Sequence, residues 1–244
     1  MRLTRVYVDA PLASGTHVTL EGGAASHVTR VLRLRGGEAL TVFNGQGGEF
    51  EAGIERAHGG SVTIAVGEQR AEERESPLVI TLAQGVSRGE RMDLVVQKAT
   101  ELGVSQLAPV LTERSVVRLD ARQAQRKLEH WRAIAVAACE QSGRNRLPGI
   151  RNPASLRDFL RESFGLQGTR LLLSPSGTRR IGKIQAPPGR VTVLIGPEGG
   201  LAPEEQAAAI EAGFIPVRLG PRVLRTETAA IAALTLLQHE SGDL

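Results

Sequence analysis

Between residues 78 and 217 the chain alternates short apolar runs with segments whose apolar residues recur every three or four positions, and this alternation restricts the fold more than any other feature. Residues 78–83, 107–111, 171–173, 191–195 and 214–217 read as buried strands. Residues 92–102 place Met92, Val95, Val96, Ala99 and Leu102 on one helical face, and residues 121–141 turn Leu128, Trp131, Ala135 and Ala138 inward. Strands alternating with helices form a parallel sheet covered on both faces, and such sheets bind ligands outside the carboxyl ends of their strands. The expected class is α/β.

The preceding part has a different period. Phe50, Ala52 and Ile54 alternate with polar neighbours, as do Val62, Ile64 and Val66, and paired glycines punctuate the stretch from residue 5 to about 67. A small β-barrel or sandwich follows, interrupted by one short helix on which Ala25, Val28 and Leu32 repeat. Residues 68–77 are charged and close on Pro77, the composition of a linker. Two domains are therefore expected, 1–72 and 73–244.

A chain of 244 residues with 41% hydrophobic residues can bury a sizeable core. No stretch approaches the roughly 18 apolar residues of a membrane helix, and the first residues lack the apolar run of a secretory signal, so a cytoplasmic location and no membrane partner are expected. With Cys139 as the sole cysteine, neither a disulfide nor a metal site is expected. Of 30 basic residues only Lys98, Lys127 and Lys183 are lysines. Arginine pairs with phosphate through a planar two-pronged donor set, which suits nucleic acid.

Two tight loops follow two of the carboxyl-terminal strands. Gly196-Pro197-Glu198-Gly199-Gly200 brings backbone amides close to a ligand, and Pro203-Glu204-Glu205 then opens a helix. The second loop is Leu219-Gly220-Pro221-Arg222-Val223-Leu224-Arg225-Thr226-Glu227-Thr228-Ala229. Neither carries the Gly-Lys-Ser/Thr ending of a P-loop or a dinucleotide fingerprint, so a nucleoside triphosphate is not favoured. The helix over 226–239 is apolar around most of its circumference and must be covered on more than one side. It either crosses the middle of the domain or, the favoured reading, packs against a second subunit.

Together the two loops resemble the paired signature of the SPOUT methyltransferases, in particular the bacterial family that methylates N3 of a uracil in 16S ribosomal RNA. Gln97-Lys98-Ala99-Thr100-Glu101-Leu102-Gly103-Val104, Pro109, Thr112-Glu113-Arg114-Ser115 and Glu140-Gln141-Ser142-Gly143-Arg144 match that family's middle segments in order. His27 with Val31-Leu32-Arg33-Leu34 matches its amino-terminal segment, although Ser26 stands where the family often has a second histidine, and Arg88 replaces a frequent lysine. The resemblance implies a PUA-like β-barrel before a SPOUT domain whose parallel sheet carries a trefoil knot, and a homodimer. It also implies S-adenosylmethionine held by Leu173, Ser174, Ile195, Gly196, Pro197, Glu198, Gly199, Gly200, Leu219, Gly220, Val223, Leu224, Arg225 and Thr228.

Methyl transfer from a sulfonium is a direct displacement, in which the protein mainly holds the reacting atoms in line. N3 of uracil is a poor nucleophile until its proton leaves, and a cation beside the ring oxygens stabilises the resulting anion. Arg225 and Arg222 are the candidates; Glu198 would take the proton if burial raised its pKa, or else cap loop amides. Arg2, Arg5, Arg30, Arg33, Arg88, Arg114 and Arg144 are the expected phosphate contacts, on 16S rRNA or the small ribosomal subunit. With 3% aromatic residues, base stacking cannot be the main binding mode, and strong salt dependence is expected. Two other readings remain open: the same fold acting on a ribose hydroxyl or on tRNA, and a non-catalytic rRNA-binding protein.

Overall fold

The computed structural model describes residues 4–163, 165, 167–181 and 189–244. They divide into two compact units, Met1–Glu75 with Cys139–Leu147, and Ser76–Ala138 with Pro148–Leu244.

The first unit is a five-stranded sheet of β1 (Arg5–Tyr7), β2 (His17–Leu20), β3 (Ala39–Phe43), β4 (Glu49–His58) and β5 (Ser61–Arg70), in the order β1-β3-β4-β5-β2. Only β1 and β3 run parallel. β4 and β5 are joined through Gly59 and Gly60, both at positive φ, the two-residue turn that matches the twist of a hairpin. Register shifts at Phe50/Ala52 and Ile54/Arg56 bend the pair, and Val6, Leu40, Val42, Ile54, Ile64 and Val66 fill the interior. The short helix appears as α1 (Gly22–Ser26), running into a wider π-helical turn at His27–Val31 that is closed by the Leu32 amide donating to the His27 carbonyl at 2.9 Å. Ala25 and Val28 are buried and Leu32 packs beside them, as their spacing predicts.

The segment from Cys139 to Leu147 enters this unit through buried charge. Arg5 pairs with Glu49, and its Nη2 donates to Asn145 Oδ1 at 2.6 Å and to the Arg144 carbonyl at 3.1 Å. Arg144 holds Glu75 with Nε at 3.0 Å and Nη2 at 2.5 Å. Asn145 Nδ2 donates to the Glu72 carbonyl at 2.6 Å.

The second unit is a parallel sheet. Its strands are β6 (Val79–Gly85), β7 (Gln106–Leu111), β8 (Gly149–Ile150), β9 (Ala154–Ser155), β10 (Thr169–Leu173), β11 (Arg179–Arg180), β12 (Arg190–Ile195) and β13 (Ile215–Arg218). The order is β11-β13-β10-β12-β6-β7-β8, with β9 also pairing β7. Its helices are α2 (Glu90–Glu101), α3 (Ala121–Ser142, continuing into the first unit's segment), α4 (Leu156–Ser163), α5 (Pro203–Glu211) and α6 (Thr226–Ser241).

Both faces of the sheet are covered, which explains strands that read as continuous apolar runs. Ile80, Leu82, Leu171 and Val193 share one cluster with residues of α2, α3 and α6, while Ala83, Leu172 and Leu194 share another with residues of α4 and α5. α6 packs against α2 and β12, burying Ala229, Ala230, Ala233, Leu234 and Leu237 and leaving Ile231, Ala232 and Leu236 partly exposed. Its buried Gln238 donates to the Leu102 carbonyl at 2.7 Å and accepts from Ser76 Oγ at 2.7 Å. No helix among the described residues is long and apolar enough to cross a membrane.

Candidate functional site

Three chain segments converge at the carboxyl ends of β10, β12 and β13 and enclose a cleft of about 660 Å³. The first is Leu172 to Pro175. There the Ser174 amide donates to the Val217 carbonyl at 2.9 Å, and Ser174 Oγ lies 2.9 Å from Ser176 Oγ. The second is the loop after β12. It turns because the Gly200 amide reaches the Pro197 carbonyl at 2.8 Å, with Gly200 at φ 69°. Gly196 must be glycine for a different reason: an added Cβ would sit 2.9 Å from the backbone carbon of Gly200. The third segment runs from Arg218 into the first turn of α6.

A buried hydroxyl ties these segments together. Thr226 Oγ1, at the amino end of α6, donates to the Gly196 carbonyl at 2.7 Å and accepts from Gln84 Nε2 at 2.8 Å. Gln84 is itself wholly buried at the end of β6. The two glycine-rich loops are thereby fixed to each other and to the centre of the sheet.

Of the residues expected to hold a cofactor, Leu173, Ser174, Ile195, Gly196, Pro197, Glu198, Gly199, Gly200, Leu219, Gly220, Val223, Leu224 and Arg225 all line the cleft. Thr228 does not: it is exposed, one helical position past the lining residue Glu227. Arg222 and Arg225 line the cleft at exposed positions, as does Val223, at 79% exposure. The lining also includes Arg91, Gln206, Arg218, Thr226 and Glu227, which the sequence did not mark as site residues. Thr226 and Glu227 stood inside the quoted motif and carried a signal; Arg91, far off in sequence, carried none.

A proton-accepting Glu198 requires a raised pKa, and the structure gives the opposite. Burial pushes its carboxyl up, but hydrogen bonds from its own amide, from Arg91 and from the Arg88 amide, with the Arg91 charge, outweigh it and hold the group below the usual carboxylate range. Glu198 Oε1 accepts from Arg91 Nη1 at 2.8 Å and from the Arg88 amide at 3.1 Å. Glu198 fastens the loop to the start of α2.

The expected phosphate contacts separate into two groups. Arg5 and Arg144, 7% and 3% exposed, are held by Glu49 and Glu75 inside the first unit and are corrected to structural roles. Arg30 and Arg33 are exposed on that unit, Arg33 being the one described non-glycine residue at positive φ. Arg88 and Arg114 are exposed on the second unit, where Arg114 lines the cleft and its Nη1 donates to the Gly199 carbonyl at 3.3 Å. Arg2 lies outside the described residues.

The cleft fits an adenosine-like group. Leu173, Ile195, Leu219 and Leu224 offer apolar walls beside loop backbone, and Gly220 has open space where a side chain would stand. Another cavity, of about 690 Å³, lies against α4 and α5, where no glycine loop converges. Among the described residues no cluster of His, Cys, Asp or Glu is arranged to hold a metal ion.

A family model of the RNA methyltransferase domain matches residues 74–238, and one of the RNA methyltransferase PUA domain matches residues 20–66. The chain belongs to the RNA methyltransferase family. Its two units are a PUA-like domain and a SPOUT methyltransferase fold. Within the RNA methyltransferase family, it is 34% identical to the ribosomal RNA small subunit methyltransferase E of Buchnera aphidicola, over 100% of this chain and 98% of that protein. It is also 34% identical to the protein of that name from Mycobacterium tuberculosis, over 93% and 88%. A Legionella pneumophila protein solved in complex with the cofactor SAM superposes with a TM-score of 0.96 at 42% identity, covering 100% of both chains. The ribosomal RNA small subunit methyltransferase E of Neisseria gonorrhoeae, bound to S-adenosyl methionine, superposes at 0.90 with 37% identity, again over 100% of both.

Proposed function

We propose that this chain transfers a methyl group from S-adenosylmethionine to N3 of a uridine in 16S ribosomal RNA. The observation that carries the reading is the cleft built from two glycine-rich loops locked by Thr226, in a chain of the RNA methyltransferase family. Relatives that match along their whole length were solved with this cofactor.

When bound, the cofactor supplies a methyl group on a sulfonium. The chain's own residues position and stabilise. Leu173, Ser174, Leu219 and Leu224 would hold the adenosine portion, and Thr228 stands outside the cleft lining. Arg225 and Arg222 at the rim steady the charge that spreads onto the uracil oxygens once N3 is deprotonated. Arg30, Arg33, Arg88 and Arg114 contact phosphates, with residues 1–72 acting as the RNA-binding domain and 73–244 as the methyltransferase domain. A flipped or unstacked uracil is required, because N3 is inaccessible within a helix. The carboxyl-terminal segment is threaded as a trefoil knot, and two copies pair through the partly exposed side of α6. The protein works in the cytoplasm, without a metal.

Incubating the purified protein with S-adenosylmethionine and small-subunit RNA or subunits lacking the modification, then digesting to nucleosides for mass spectrometry, should yield 3-methyluridine. A ribose-methylated nucleoside, or no methylated product, would overturn the assignment.

A further inference from the structure

Among the described residues lining the cleft, Glu198 and Glu227 are the carboxylates, and neither histidine nor cysteine is among them. Glu198 is already engaged by Arg91 and by the Arg88 amide. Glu227 differs: its Oε2 is buried and has no hydrogen-bond partner among the described residues. A buried carboxylate oxygen without a partner is costly, and on the wall of a cleft a bound ligand can supply the missing hydrogen. Glu227 lies in the first turn of α6, two positions after Arg225, and the residue between them is Thr226, whose hydroxyl is fixed to Gly196. One anchored turn therefore carries a cation for a developing anion and an acceptor for the proton whose loss creates it.

We propose that Glu227 is the general base that removes the N3 proton of the bound uracil, an inference that rests on N3 being the methylated atom. The N3–H bond breaks and the proton passes to the Glu227 carboxylate. The electron pair left on N3 forms the N–CH3 bond as the S–CH3 bond breaks, leaving a neutral thioether. Glu227 then returns its proton to solvent.

Glu227→Gln should lower kcat by roughly 100-fold or more at pH 7. The Kd of S-adenosylmethionine, measured by calorimetry, and the KM for RNA should stay within about threefold of wild type. Activity of this variant should climb with pH as uracil N3 ionises in solution. Glu227→Asp, which keeps the carboxylate, should retain the wild-type pH profile, as should Glu198→Gln. Retained activity in Glu227→Gln overturns the proposal, as does cofactor affinity falling in step with kcat, which would make Glu227 a cofactor-holding residue. High-pH rescue in Glu198→Gln instead would also overturn it. If wild-type protein in the same assay yields no 3-methyluridine, the failure lies in the functional reading beneath it.

Discussion

Arg5 shows how a basic residue in the sequence can be unavailable to a basic surface. Its guanidinium is nearly enclosed and faces Glu49, Asn145 and the Arg144 carbonyl. Arg5→Ala leaves Glu49 buried beside Asn145 and Arg74, whose Nη1 is 3.5 Å away, without its main charge partner, and should cost on the order of 3 kcal/mol in urea unfolding. A loss below about 1 kcal/mol would mean that Arg74 compensates. Burial pushes the Glu49 carboxyl up, but the hydrogen bond and charge of Arg5, then Arg74 and Asn145, hold it below the ordinary range. Its contribution to stability is therefore full above the ordinary carboxylate pKa and is lost as pH falls through the depressed value. The burial of Arg5 was not legible from sequence, because Glu49 lies 44 residues downstream and Arg144 and Asn145 return from 139 and 140 residues downstream. Arg225 is the opposite case, exposed and on the cleft. Arg225→Ala should lower kcat by the roughly 3 to 4 kcal/mol of a lost anion-stabilising donor while weakening cofactor binding much less. Equal losses in calorimetric affinity and in turnover would refute a transition-state role.

Among elements, the loop after β12 is the most exacting. Gly196→Ala forces a Cβ against the backbone of Gly200 and Leu201, whereas Gly220→Ala meets nothing within 4 Å. Calorimetry should find S-adenosylmethionine affinity reduced at least about tenfold in the first variant. Comparable affinity in the two would remove loop shape as a determinant. Gly199, between them in sequence, is intermediate: an added Cβ would lie 3.1 Å from Arg114 Cβ and 3.4 Å from the Arg114 carbonyl oxygen. The long strands and helices were legible because their apolar period persists over several residues. β8, β9 and β11 were not, since two residues establish no period. α4 could have been found: Leu156, Phe159, Leu160 and Ser163 are buried at helical spacing, and Ser155 Oγ caps the Asp158 amide at 3.1 Å. In the candidate site, the glycine loops stood out by composition and were placed on the cleft, while Arg91 was brought there by the fold of α2 alone.

At the scale of the whole molecule, the proposed pairing rests on α6. One side of it is buried within the second unit, and Ile231, Ala232 and Leu236 remain partly exposed on a helix almost without charge. Sedimentation equilibrium should find a dimer, and Ile231→Glu should shift it toward monomer; a wild-type monomer at micromolar concentration would remove the pairing. The first unit, meanwhile, is not continuous in the chain: it is completed by Cys139–Leu147, whose Arg144 and Asn145 are buried within it. Domains of a nascent chain generally fold as units in order of synthesis. Here the amino-terminal sheet must wait for the middle of the polypeptide to emerge before Arg5 finds Asn145. A fragment ending at the charged linker would carry every strand of that sheet and still lack the two acceptors, Asn145 Oδ1 and the Arg144 carbonyl, that satisfy its buried guanidinium.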